Sequence, residues 1–184
     1  MECLSCRRKS TTFDTFLDLS LSLRLGREDF ALEDVTLDDC LKDFVKAEKM
    51  EQSGYRCEGC KRESTMRKSL SLYKLPQVLV LHLKRFASHS VRREKLKTRV
   101  KIEDVIDVRD CAPLLPPNTL AMTRTRYKLF GIVHHYGSLS GGHYISEILS
   151  LEDNKWYECD DTSVQQLRTP VSRHSSSAYV LFYQ

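Results

Sequence analysis

Apolar residues recur along this chain with two different periods. Leu37, Cys40, Leu41, Phe44 and Val45 fall at i, i+3, i+4, i+7 and i+8, the single stripe of an amphipathic helix. Thr36-x-x-Asp39 supplies a capping box at its start. Cys40 lies on the stripe and reads as a small core residue. Elsewhere the segments 13–25, 78–86, 127–136, 143–149 and 178–183 are rich in β-branched, aromatic and leucine residues and are bounded by turn formers, the pattern of strands. The run from Val78 to Phe86 is apolar on both faces. The short connections 137–142 and 152–155 are rich in Gly, Ser, Asp and Asn, which favours antiparallel hairpins over βαβ crossovers. The expectation is an α+β fold on an antiparallel sheet. Pro113, Pro116 and Pro117 mark one irregular segment, 109–125, read as an insertion-tolerant loop.

With 184 residues, 41% hydrophobic and 29% charged, the chain has the means to bury one core. Its longest apolar run, Leu75–Leu83, is interrupted by Pro76, Gln77 and His82 and falls well short of the roughly 20 residues needed to span a bilayer. No membrane contact is expected. The opening Met1-Glu2-Cys3 lacks the basic and apolar regions of a secretory signal, so an intracellular location, cytoplasmic or nuclear, is expected. The formal charge is +4, but Lys84–Lys101 holds eight basic residues against Glu94 alone, a local +7 that leaves −3 for the remainder. The stripe reads as a solvated loop and strand edge. It lacks the interleaved aromatics that stack on bases, so no nucleic-acid role is expected.

Four of the seven cysteines form two Cys-x-x-Cys pairs, Cys3/Cys6 and Cys57/Cys60. Two such pairs supply the four thiolates of a closed tetrahedral zinc site, which leaves no open position for substrate and is structural. The alternatives are two redox pairs or unpaired thiols. Redox pairs are disfavoured because neither motif sits between a strand and a helix of a βαβ unit. The ion would staple two β-ribbon arms across the intervening helix.

Gly141-Gly142-His143-Tyr144 places a histidine at a strand start after a flexible loop, and Trp156-Tyr157-Glu158-Cys159-Asp160-Asp161 ends a strand in two carboxylates. If the two strands pair around 152–155, Asp160 returns beside His143. A carboxylate there sets the imidazole tautomer and orientation, as in Cys-His-Asp hydrolases. Strand alternation predicts Asp160 facing His143 and Asp161 facing away. His82 reads as a satisfied core histidine. Of His134 and His135, only one can face the site.

Four segments, LPQVLVLHLKRF (75–86), YKLFGIVHHYGSLSGGHY (127–144), KWYECDDTSV (155–164) and AYVLFY (178–183), resemble in order the C-terminal boxes of the ubiquitin-specific proteases, and the paired Cys-x-x-Cys motifs resemble that family's zinc-binding fingers. The resemblance covers essentially the whole chain. It implies a papain-like, hand-shaped fold, with a zinc-stapled β-ribbon fingers region (1–12 and 50–70) and an antiparallel palm (13–49 and 71–184). It implies a deubiquitinase acting on ubiquitin and ubiquitinated proteins, with structural zinc on Cys3, Cys6, Cys57 and Cys60. His143 would be the general base and Asp160 its orienting acid, with Asp161 a second acid of the site.

The chain departs from the family pattern in one respect. Members carry a Gly-x-x-Asn-x-x-Asn-x-Cys box on a thumb, and no such box is present among these 184 residues. Cys40, Cys111 and Cys159 are unconvincing substitutes: the first lies on an apolar stripe, the second has no helix N-terminus to lower its pKa, and the third alternates away from Asp160. The expectations are a fingers-and-palm portion lacking the thumb, inactive by itself, or alternatively a non-catalytic ubiquitin-binding scaffold. A palm without its thumb would expose apolar surface and call for a covering partner.

Overall fold

The computed structural model describes residues 1–23, 34–51, 54–88, 93–112, 124–168 and 174–184. Along the chain these form β1 (Glu2–Cys3), β2 (Leu19–Leu21), β3 (Asp34–Thr36), α1 (Leu37–Val45), β4 (Glu48–Met50), β5 (Met66–Lys68), β6 (Leu79–Leu83), β7 (Phe86–Ser88), β8 (Arg93–Lys95), β9 (Arg99–Lys101), β10 (Val105–Asp107), β11 (Arg126–Gly137), β12 (Gly142–Leu149), β13 (Trp156–Asp160), β14 (Ser163–Gln166), β15 (His174–Ser175) and β16 (Ala178–Tyr183). A short 3-10 turn covers Arg109–Cys111.

Helix α1 starts where the sequence places it. Thr36 Oγ1 accepts from the Asp39 N–H at 3.0 Å, and the Asp39 carboxylate accepts from the Thr36 N–H at 3.2 Å, which satisfies two of the helix's free donors. Leu37, Cys40 and Leu41 are its buried residues.

The main sheet runs β14-β13-β12-β11-β16-β6-β2, with β10 paired to β11. Its core joins Leu19, Leu21, Leu81, Ile132, Leu181 and Tyr183 to Leu37, Cys40 and Leu41 of the helix. The pairing is antiparallel except at its edge, where β2 lies parallel to β6, and in a second sheet, where β3 lies parallel to β9. The expected antiparallel sheet is therefore mixed. The chain passes through the fingers between these strands, so a strand can return in the same direction without a βαβ unit.

Two strand expectations are corrected. Of the segment from Phe13, only Leu19–Leu21 pairs, because Leu19 and Leu21 reach the core through Leu81 and Leu83 while Leu17 is 94% exposed; Arg24 and Leu25 lie outside the described residues. The run 78–86 is not apolar-buried on both faces: β6 alternates buried Leu79, Leu81 and Leu83 with half-buried Val80 and His82. His82 is satisfied, with its Nδ1 2.9 Å from Ser20 Oγ and its ring edge-on to Tyr179. The irregular segment 109–125 opens with the 3-10 turn; 113–123 lie outside the described residues.

The fingers form a separate three-stranded sheet in the order β1-β5-β4. It takes in Glu48 and Lys49, ahead of the expected boundary at 50. Its buried cluster holds Cys3, Cys57 and Met66, with Met1, Met50 and Cys60 packed against them.

Candidate active site

The two cysteine motifs build the same turn twice. The Arg7 N–H donates to Cys3 O and the Lys61 N–H to Cys57 O, each at 2.8 Å. The Cys3 N–H donates to Arg8 O and the Cys57 N–H to Arg62 O, each at 2.9 Å. Arg7 and Lys61 both take positive φ, 63° and 55°, so that each chain reverses immediately after its second cysteine. Two matching knuckles thus point four sulfurs inward, all within 4.8 Å of one another, with Cys3–Cys60 at 3.9 Å and Cys6–Cys57 at 3.6 Å. A tetrahedral tetrathiolate with bonds of about 2.3 Å has sulfurs about 3.8 Å apart, so the cluster fits one ion. The backbone N–H of Cys6 holds the Cys3 thiol down to about 6, while, against the Arg8 backbone N–H, burial and the neighbouring thiols push Cys6 up to about 11, so the sulfurs share protons as one cluster.

The second site lies at the far edge of the palm. Strands β11 and β12 pair around the 138–141 turn, with Tyr136 opposite His143 and Gly137 opposite Gly142. Strands β12 and β13 pair around the 150–155 turn, with Ser146 opposite Cys159 and Glu147 opposite Glu158. That register brings the end of β13 back to the start of β12, and His143 Nε2 stands 2.5 Å from Asp160 Oδ1. Both side chains are about half exposed. The hydrogen bond from His143 to Asp160, with the carboxylate charge behind it, raises the imidazole pKa above its ordinary value.

Asp161 departs from the expected alternation. It follows the last residue of β13 at φ +48°, in a left-handed turn where alternation no longer applies. Its carboxylate stays with the pair, and one ligand atom each from His143, Asp160 and Asp161 lies within 4.8 Å of the others. The negative charge of Asp161 also contributes to raising the His143 pKa.

His134 and His135 lie on opposite faces, and both are buried. His134 shares the His143 face, bonds Ser177 Oγ through Nδ1 at 3.0 Å, and has Nε2 3.5 Å from Glu147. His135 packs on the other face among Phe86, Tyr144 and Tyr179.

All seven cysteines are described. Cys40 and Cys111 are buried, and desolvation pushes their thiols up to about 12 and about 11, the reverse of what a nucleophile needs. Cys159 pairs with Ser146 and Val164, one residue out of phase with Asp160 and hence on the opposite face. The exposed apolar residues Tyr144, Ile148 and Val164 also lie on that opposite face by the same register, whereas exposed Tyr136 stands opposite His143 on its own face. Strand β14 and the inward-pointing Arg85 and Lys95 were not anticipated from the sequence.

The ubiquitin carboxyl-terminal hydrolase family model matches residues 1–183. The chain is 31% identical over its full length to the probable ubiquitin carboxyl-terminal hydrolase 4 of Schizosaccharomyces pombe, covering 30% of that protein. It is 34% identical to ubiquitin carboxyl-terminal hydrolase 2 of Gallus gallus, covering 100% of this chain and 49% of that one. It is 38% identical over 82% of its length to human ubiquitin carboxyl-terminal hydrolase 15, covering 15% of it. Among solved structures it matches the yeast SAGA DUBm at TM-score 0.81 and 30% identity, covering 100% of this chain and 38% of that one. A SAGA DUB module bound to ubiquitin aldehyde matches at 0.77 and 28%, covering 100% and 39%. The chain therefore spans less than half the length of each of these relatives. A family match over virtually every residue makes this chain a member of the ubiquitin carboxyl-terminal hydrolase family.

Proposed function

We propose that these 184 residues form the fingers and palm of a deubiquitinase that cleaves ubiquitin from isopeptide-linked proteins. The observation that carries this reading is the His143–Asp160 contact at the exposed end of two paired hairpins. In this reading His143 takes the proton of a nucleophilic thiol and returns it to the leaving lysine amine, while Asp160 holds the ring in the tautomer that does so. Asp161 adds negative charge that stabilises the imidazolium form. Thiolate attack forms an acyl-enzyme at ubiquitin's terminal glycine, and water then releases it.

The thiol comes from a thumb outside these residues. Two of the three cysteines beyond the finger cluster are buried with raised pKa values, and the third faces away from Asp160. In the fingers, zinc is the ion suited to four thiolates; held by Cys3, Cys6, Cys57 and Cys60, it would join the arms and take no part in the chemistry.

The test is a paired assay with a ubiquitin C-terminal reporter and an electrophilic ubiquitin probe. The chain alone should neither cleave nor label. The chain extended in cis by a thumb bearing the family's cysteine box should cleave, and His143→Ala should abolish turnover, on the order of the million-fold seen when a hydrolase loses its nucleophile or base. Labelling of the isolated chain that disappears with Cys111→Ser would overturn the reading. An extended chain that binds ubiquitin without cleaving it would establish a non-catalytic scaffold instead.

A further inference from the structure

Two basic side chains of the Lys84–Lys101 stretch point into the protein. Arg85 is fully buried: its Nε donates to Ala178 O at 2.5 Å, Nη1 to Leu96 O and Thr98 O at 3.2 and 2.8 Å, and Nη2 to Ser175 O at 3.0 Å. Lys95 Nζ donates to His135 O at 2.6 Å and to Gly137 O at 3.2 Å. Every one of these acceptors is a backbone carbonyl. A cation bonded this way fixes the path of the chain, since no charge is neutralised by the contact.

The two carbonyls held by Lys95 flank Tyr136, the residue opposite His143 in the β11–β12 ladder. The turn they belong to is tightly packed, backbone against backbone at Gly137 and against the His135 ring at Gly142. Gly137 has φ +114°, and a Cβ there would come within 2.5 Å of Gly141 O; a Cβ on Gly142 would lie 2.1 Å from His135 Nε2. Its own side-chain bonds stay local: Ser138 Oγ accepts from the Ser140 N–H at 3.3 Å and lies 2.9 Å from Ser140 Oγ. Lys95 reaches it from another element, the β7–β8 hairpin, whose Phe86–Lys95 pair closes at the base. Arg85 braces that base in turn, because its carbonyl accepts from the Leu96 N–H at 2.7 Å.

We propose that Lys95 is a positioning residue for His143: by pinning both carbonyls at the end of β11, it sets where the imidazole stands relative to Asp160, and it ties that placement to the β7–β8 hairpin. A ligand that displaces the hairpin would then displace the base. The proposal rests on His143 being the working base, yet its test reads the geometry of the ring rather than turnover, so the two can fail separately.

The experiment uses the zinc-loaded 184-residue chain as wild type, Lys95→Met, Lys95→Arg and Asp160→Asn. NMR follows the His143 ring through a pH titration, and amide exchange is read at Ser138, whose N–H is held by Gly141 O at 2.9 Å. In Lys95→Met the His143 midpoint should fall toward that of Asp160→Asn, and Ser138 exchange should quicken about tenfold, while amides of Leu81 and Leu181 stay unchanged. Lys95→Arg, which keeps N–H donors, should restore most of both effects.

The sign is diagnostic. Losing a nearby positive charge would by itself raise an imidazole pKa, so a fall reports lost contact with Asp160. A Lys95→Met midpoint equal to or above wild type overturns the proposal. So does core exchange that rises as much as Ser138 exchange, which would make Lys95 merely structural. If Lys95→Met does not fold, Lys95→Gln decides by the same criteria, and failure of both to fold also overturns it.

Discussion

The fingers bury Cys3, Cys57 and Met66 between strands of two and three residues, whereas the palm packs two dozen buried residues around Leu81, Ile132 and Leu181 among the described ones. A buried Met contributes about 1.5–3 kcal/mol, while each ordered residue costs about 1–2 kcal/mol of backbone entropy. By that comparison apolar burial holds the palm far more strongly than the fingers. A structural zinc in a small thiolate site supplies an apparent ~10–16 kcal/mol, several times what a buried Met contributes. With zinc bound as proposed, the cysteine spacing stabilises one region, and the periodicity of leucines the other.

The largest effect is expected from removing the metal, which breaks the comparison at the fingers. Chelation, or Cys57→Ser, should release the 66–68 amides to near-unprotected exchange while 79–83 remain protected, read by hydrogen exchange. Simultaneous loss of both regions would show that the fingers and palm are one cooperative unit. The palm should respond in the opposite way. Leu181→Ala opens a cavity at a fully buried position and should cost about 2–5 kcal/mol in urea unfolding of the zinc-loaded protein. Exchange at 66–68 in the fingers should stay as in the wild type, since their cluster is separate from that of Leu181.

A smaller effect is expected at the helix. Thr36→Ala removes the cap seen in α1 and should cost about 1 kcal/mol, leaving the metal cluster untouched. This was the most legible part of the fold, because a capping box and an apolar stripe act over four residues. The two hairpins were legible for the same reason: Gly, Ser, Asp and Asn in short turns fix which strands pair, and pairing then places Asp160 beside His143. Other features were not legible. The parallel β2–β6 pairing joins residues far apart in the chain, Leu19 to Leu81, and the inward course of Arg85 and Lys95 depends on carbonyls that only the folded sheet assembles. Asp161 escaped because a single left-handed residue ends the strand alternation that would have turned it away.

The smallest expected effect is on stability and concerns pH. His143 has a raised pKa in the folded chain, so its pairing with Asp160 favours the folded state below the ordinary imidazole pKa. That contribution is lost as pH rises through the raised value. Asp160→Asn should move the His143 midpoint down and remove this pH dependence, as read by NMR titration. An unchanged midpoint would mean that the contact is not populated in solution.

The most direct measurement is kcat/KM on a ubiquitin C-terminal reporter for the thumb-extended chain as wild type, Asp160→Asn and Asp161→Asn. Because Asp160 makes the hydrogen bond and Asp161 adds only charge, Asp160→Asn should lose on the order of 100- to 10,000-fold, the upper value being that of an Asp→Asn change in a Ser-His-Asp triad, and Asp161→Asn far less. Equal losses, or a larger loss for Asp161→Asn, would contradict the assignment of Asp160 as the acid that orients His143.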